Sequence, residues 1–156
     1  MANILWEGIF LDPGTIQRLE QAAREEGELP FANRPQYPHV TTAFGVNAPH
    51  MELYGERVLL CIGGFVRDEA IQTPNRGVVK AEGFHIMSME AEDERLQDIL
   101  NQEEKFYHIT VSYSGKAVDT NYVDLAKERA TPGLRVWGTY GGYDIEKNQP
   151  VFSFGS

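Results

Sequence analysis

One cysteine, Cys61, stands alone in a chain of 156 residues. It has no partner for an intramolecular disulfide and no second cysteine with which to frame a zinc knuckle. Nothing here requires an oxidising compartment. No apolar run approaches the ~20 residues of a membrane-crossing helix. The first residues, Met1 to Glu7, lack a basic stretch followed by a long apolar one, so they do not read as a secretory signal. The expected location is the cytosol, of a cell or of an infected cell. Basic residues are the minority: Lys plus Arg number 14 against 23 Asp plus Glu, and 14 − 23 gives a formal charge of −9. Such a surface repels a phosphate backbone and argues against non-specific binding to duplex DNA or long RNA. A small anionic ligand in a local pocket is compatible with it. There is no H-E-x-x-H, no C-x-x-C, and only four histidines. No metal or other cofactor is expected.

What is present is ordinary globular material. Hydrophobic residues make up 42% and charged residues 24%, which excludes disorder and fibrous repeats. The length fits one domain spanning residues 1–156. Ile4 to Leu11 reads as a strand. Asp12-Pro13-Gly14-Thr15 opens a helix that runs through Arg24, with Asp12 as cap and Pro13 at the first position. Gly27 stops it, and Glu28 to Tyr37, with Pro30 and Pro35, reads as a loop. Strands are expected at His39–Gly45, Arg57–Arg67, Val78–Ala81, Phe84–Met89 and Phe106–Tyr113. The Gly63-Gly64 pair is a bulge signal within the second of these. Helices are expected at Glu92–Asn101 and Asp119–Ala130. Leu134–Ile145 reads as a strand or bent hairpin, and Val151–Phe154 as a last strand. The order β-α-β-β-β-α-β-α-β-β implies an α+β fold with helices packed on mainly antiparallel sheets.

Two of these strands carry the same pattern. One is His39-Val40-Thr41, the other His108-Ile109-Thr110, and each is preceded at one remove by an aromatic, Tyr37 or Phe106. Side chains at i and i+2 of a strand share a face. His39 therefore points with Thr41, and His108 with Thr110, while Val40, Ile109 and Val111 turn to the apolar side. Halves packed about a pseudo-twofold axis would bring two imidazoles and two hydroxyls around one small object. An imidazole can take a proton from a nucleophile or give one to a leaving oxygen near neutral pH. A threonine hydroxyl can hold a phosphate oxygen. Together they can run a phosphodiester displacement without a metal. One copy of His-x-Thr is what any threonine-rich strand supplies by accident; two copies with the same interleaving are not. The other histidines, His50 and His85, have no threonine at i+2 and read as structural or exposed.

With both motifs in hand, the chain resembles the two-histidine (2H) phosphoesterase superfamily. That superfamily is defined by twin H-x-T motifs in a bilobal α+β fold. The stretch HITVSYSGKAVDTNYVDL, His108 to Leu125, resembles the second motif and following helix of 2′,3′-cyclic-nucleotide phosphodiesterases and the related domain of tRNA ligases. HVTTAFG resembles the first motif of the bacterial RNA-ligase-like branch. That branch often has an Arg soon after its second motif, and Val111-Ser112-Tyr113-Ser114 contains none, which weighs against a terminal-phosphate RNA substrate. The compact acidic chain, with close to seventy residues between motifs, is more similar to the small phage enzymes that degrade cyclic oligonucleotide immune signals, the anti-CBASS nucleases.

The resemblance implies two mainly antiparallel sheets around a central groove, with helices outside. It implies His39 and His108 for acid–base work and Thr41 and Thr110 for holding phosphate, with no cofactor. The expected activity is metal-independent cleavage of the 3′–5′ bonds of cyclic oligonucleotides, countering cyclic-nucleotide antiviral immunity. The alternatives are a 2′,3′-cyclic phosphodiesterase of RNA ends or nucleotides, and a nucleotide-binding sponge without catalysis. Trp6, Tyr37, Trp137, Tyr140 and Tyr143 are the aromatics nearest expected strand ends; of these Trp6, Tyr37, Trp137 and Tyr143 are the candidates for ligand contact, and Arg34, Arg57, Arg67 and Arg76 the candidates to offset its charge. Gly138 to Tyr143 lacks the phosphate-loop pattern and reads as a hairpin.

Overall fold

A computed structural model describes residues 4–27, 29–44, 50–73, 77–101, 107–114, 127–130 and 133–152, with the backbone alone at 43, 44, 73 and 130. The element order is β1 (Ile4–Leu11), α1 (Pro13–Glu25), β2 (His39–Phe44), a single 3-10 turn (Met51–Leu53), β3 (Arg57–Thr73), β4 (Gly77–Ala91), α2 (Glu94–Asn101), β5 (His108–Ser114), β6 (Arg129–Ala130), β7 (Arg135–Asp144) and β8 (Gln149–Val151). The fold is α+β. The strands run β2-β1-β7-β3-β4-β5, with β6 added to β3 and β8 to β7, and every pairing is antiparallel. No helix among the described residues is long and apolar enough to cross a membrane.

The spine is the β3–β4 hairpin, of 17 and 15 residues. The sequence predicts β3 to end at Arg67 and splits β4 into two pieces. β3 instead runs on past Arg67 with a register shift between Asp68 and Ile71, and β4 runs unbroken through Glu82-Gly83, which is regular toward β3 and bulged only toward β5. The pairing register shifts at Cys61/Ile62 and Ile62/Gly64 on β3, as that glycine pair signals, and at Glu82/Gly83 where β4 meets β5. The long hairpin also explains why one sheet forms where two are expected. The start of β3 carries β7, and β7 carries β1 and β2. The far part of β4 carries β5. Two strand groups are thereby fused through shared strands.

Both helices cover the same face. Asp12 and Pro13 start α1 as expected, and the Asp12 carbonyl accepts from Thr15 N–H at 2.9 Å. The Asp12 side chain makes no cap; it takes the Arg57 guanidinium in two bonds of 2.7 and 2.6 Å. Asp93 does cap α2, accepting from Leu96 and Arg95 N–H groups, which hold its carboxyl below the usual range. Leu19 and Ala23 of α1 and Leu96 and Leu100 of α2 pack into one core with Ile9, Val40, Leu60, Phe84, Ile109 and Val136. The helix expected at 119–130 lies outside the described residues up to 126, and its end is corrected: Arg129–Ala130 pair with Gly64–Phe65 as a strand.

The sheet repeats one local design at its two ends. On β1, Glu7-Gly8 meets β2 with Glu7 opposite Ala43, a register shift, Gly8 opposite Thr41 and Phe10 opposite His39. On β4, Glu82-Gly83 meets β5 with Glu82 opposite Ser112, the same shift, Gly83 opposite Thr110 and His85 opposite His108. Each glycine is required by contact. A Cβ on Gly8 would strike the Val40 carbonyl oxygen, and one on Gly83 the Ile109 carbonyl oxygen, both backbone atoms that cannot step aside. Gly8→Ala and Gly83→Ala should each destabilise by about 2 kcal/mol or more in chemical denaturation. Gly14→Ala, where nothing lies within 4 Å, should be neutral or mildly stabilising. Similar midpoints for all three variants would refute the close approach.

Candidate functional site

The two His-x-Thr strands are the outer strands of the path, and they come together. Cα atoms of β2 and β5 approach within 8 Å. A cleft lined by Ile16 and Leu19 of α1, by Pro38 before β2, and by Ile109, Thr110 and Val111 of β5 marks the meeting. Val40, Ile109 and Val111 are in the helix-covered core. By alternation His39 and Thr41, and His108 and Thr110, occupy the opposite face, and all four are half-buried.

The first half wraps its histidine in aromatic rings. Trp6 stacks on His39 at 4.1 Å between centroids, and on Phe10 and Tyr143 at 5.0 and 5.3 Å. Tyr37 sits 6.3 Å from Tyr143. The Tyr37 carbonyl lies 2.7 Å from His39 Nδ1, so that nitrogen carries the proton of a neutral ring and Nε2 holds the lone pair. Burial pushes the proton affinity of His39 below that of an ordinary histidine, against a smaller opposite pull from that carbonyl. Trp6 is only 8% exposed; it is a packing partner of His39, while Tyr37 and Tyr143 are half-open. Trp137 is elsewhere on the sheet. It is exposed, under the Arg57 guanidinium at 5.6 Å, in a cleft with Leu59, Glu90 and Glu92.

The second half is polar. His108 Nε2 lies 2.9 Å from Thr110 Oγ1, so histidine and hydroxyl are joined within the motif. His85, which the sequence reads as structural or exposed, stands directly across from His108. Its Nδ1 lies 2.8 Å from Glu128 Oε1. Local spacing carries no signal of that neighbour, because it depends on the β4–β5 register. His50 precedes the 3-10 turn, and its backbone N–H donates to Glu7.

Behind both motifs lies a buried carboxylate. Glu7 accepts from Tyr54 and Tyr140 hydroxyls at 2.7 and 3.0 Å, and burial, reinforced by Glu7, holds both phenols protonated far above their usual range. Glu82 accepts from Arg67 and Ser112, both at 2.8 Å. A buried carboxylate persists only when so paired. The candidate arginines are engaged: Arg34 near Glu20, Arg57 on Asp12, Arg67 on Glu82. Arg76 lies outside the described residues. Among the described residues, no three His, Cys, Asp or Glu side chains are grouped to hold a metal ion.

The chain matches no protein family, no curated protein and no solved structure.

The buried His39 predicts a pH effect with a definite sign. Its folded proton affinity lies below the unfolded value of 6.5. Below pH 6.5 the unfolded chain therefore binds more protons than the folded one, and stability falls as the pH drops through that window. His39→Gln should flatten this part of the curve relative to wild type in denaturation series from about pH 7.5 to about pH 5. Parallel curves would show that His39 is not desolvated.

Proposed function

We propose that this protein is a metal-independent phosphodiesterase of the 2H type, cutting 3′–5′ bonds of small cyclic oligonucleotides. One observation carries the reading. The two His-x-Thr motifs sit in the same register against the same Glu-Gly bulge, on the two edge strands that approach each other. Accidental motifs have no reason to share a partner sequence and a register shift. A shared design at two edges is what a pseudo-twofold site around one phosphorus needs.

In this reading the ribose 2′-hydroxyl beside the scissile bond is the nucleophile. One histidine takes its proton as the oxygen–phosphorus bond forms. The other gives a proton to the departing 5′-oxygen as that bond breaks. The products are a 5′-hydroxyl and a 2′,3′-cyclic phosphate, and a second passage with water opens the latter. Thr41 and Thr110 hold the non-bridging oxygens, whose charge grows in the transition state. Tyr37 and Tyr143, half-open beside His39, supply faces on which a base can stack. The formal charge of −9 favours a compact ligand over a long polyanion.

Incubation with cyclic dinucleotides and with an oligoribonucleotide ending in a 2′,3′-cyclic phosphate, both in EDTA, tests the reading. Turnover of the cyclic dinucleotides is expected. His39→Ala and His108→Ala should each lose about 10³-fold or more in single-turnover rate. Thr41→Ala and Thr110→Ala should lose less, because a neutral hydrogen bond is easier to replace than a proton carrier. Turnover of the cyclic-phosphate end alone would move the substrate to RNA ends. Tight binding without product from either would make the protein a sponge. Equal, mild losses at all four positions would end the two-histidine mechanism.

A further inference from the structure

β2 and β5 stand at opposite ends of the strand path, so among the described residues no ladder between them sets the distance from His39 to His108. The segment that leads into β2 supplies a different tie. Residues 29–38, between α1 and β2, pass the outer edge of β5. Asn33 and Tyr113 exchange two backbone hydrogen bonds, both of 2.9 Å. Phe31 N–H donates to Ser112 Oγ at 2.9 Å. Tyr113 lies three residues after Thr110, and Asn33 six before His39, so the tie joins the two motif strands close to both motifs. Arg67 closes it from β3. Its Nη1 donates to the Leu29 carbonyl at 2.7 Å and to Glu82 Oε2 at 2.8 Å, and its guanidinium carbon stands 4.0 Å from the centre of the Phe31 ring. Glu82 in turn accepts from the Ser112 hydroxyl at 2.8 Å.

We infer that Arg67 is a positioning residue for the two-motif site: it clamps residues 29–33 to the Glu82–Ser112 pair and so sets where His39 stands relative to His108. The inference rests on the phosphodiesterase reading for the reaction, while the clamp itself is a matter of geometry. The Arg67 and Glu82 side chains are only 11% and 1% exposed. A buried ion pair is a poor source of stability, because desolvation offsets the attraction, and its best-attested use is to fix register. Arginine fits that task because one planar group serves three partners: a carboxylate and a carbonyl at its rim, and an aromatic ring on its face. A lysine ammonium can keep Glu82 paired but offers no flat face to Phe31. The place of the clamp reaches His39 through stiff chain. Pro35 and Pro38 fix their own φ angles. The Pro38 carbonyl accepts from Leu11 N–H at 3.1 Å, and the Tyr37 carbonyl holds His39 Nδ1. A reaction that needs both histidines at one phosphorus is sensitive to their spacing, since a misplacement of about 1 Å can cost about 10²-fold in rate. Arg67 touches neither histidine and does no chemistry in this scheme.

The test compares the wild type with Arg67→Lys and Phe31→Leu, each of which leaves a cation beside Glu82. Amide hydrogen exchange follows the tie. The Asn33 and Tyr113 amides, bonded to each other's carbonyls, should exchange about tenfold faster or more in both variants, while the core amide of Leu60 keeps its rate. NMR follows the first motif: the His39 ring resonances should shift in both variants and those of His50 should hold. Kinetics on a cyclic dinucleotide, well below the unfolding transition, follow the site. There kcat should fall about tenfold or more, with a smaller change in KM. Unchanged exchange at Asn33 and Tyr113 would overturn the clamp. Faster exchange with kcat of the folded protein unchanged would make Arg67 a purely structural residue and overturn the inference. If the wild type turns over no phosphodiester, faster exchange together with a moved His39 ring would uphold the placement of His39 by Arg67 and overturn the phosphodiesterase reading instead; an unmoved ring would overturn both.

Discussion

The structure depends on the close approach of a glycine Cα to a carbonyl oxygen, made twice: Gly8 against Val40 and Gly83 against Ile109. At each point the neighbouring strand carries a histidine and a threonine on one face and a core residue between them. The glycine lets the strands pair through a bulge, and the bulge adds local twist. A buried glutamate stands next to each glycine. Glu7 is held by two tyrosine hydroxyls and Glu82 by an arginine and a serine. The carboxylates differ in partners but share a place. They tie the bulge to the centre of the protein, so the orientation of each histidine is inherited from the core.

From that constraint the rest follows in order. The long β3–β4 hairpin joins the two bulged strand pairs into one sheet. Both helices fill the same face, and the histidines lie on the other. The outer strands then meet beside α1. Chemistry distinguishes the halves. One packs its histidine with Trp6 and Phe10, and the other sets His85, bonded to Glu128, across from its own.

The legible part of the sequence is whatever has a short period. Alternation sorts His39 and Thr41 from Val40, and His108 and Thr110 from Ile109 and Val111, with no tertiary information. Helical spacing and the Pro13 and Gly27 signals bound α1 to within a residue. What stays hidden depends on register between distant strands. Glu82-Gly83 looks like a break between two short strands, and only its partner strand shows that it is a bulge. The Glu-Gly repeat is two letters long and invisible without the pairing that aligns it to His-x-Thr. His85 lacks a threonine at i+2 and so looks inert; its place opposite His108 is set by the β4–β5 register. Trp6 looks like a base platform, but its surface is spent on His39. Asp12 is a good cap by type, yet a guanidinium binds its carboxylate more strongly than an amide N–H would.

The central claim is that both histidines serve a single phosphorus, and a transition-state mimic tests it whatever the natural substrate. A nucleoside vanadate, five-coordinate like the displaced phosphorus, is titrated into the protein while the histidine ring resonances are followed. Simultaneous, saturable shifts of His39 and His108 with one common affinity, lost in Thr41→Ala/Thr110→Ala, are the predicted result. A response from only one of the two rings, or separate affinities for each, would contradict the account.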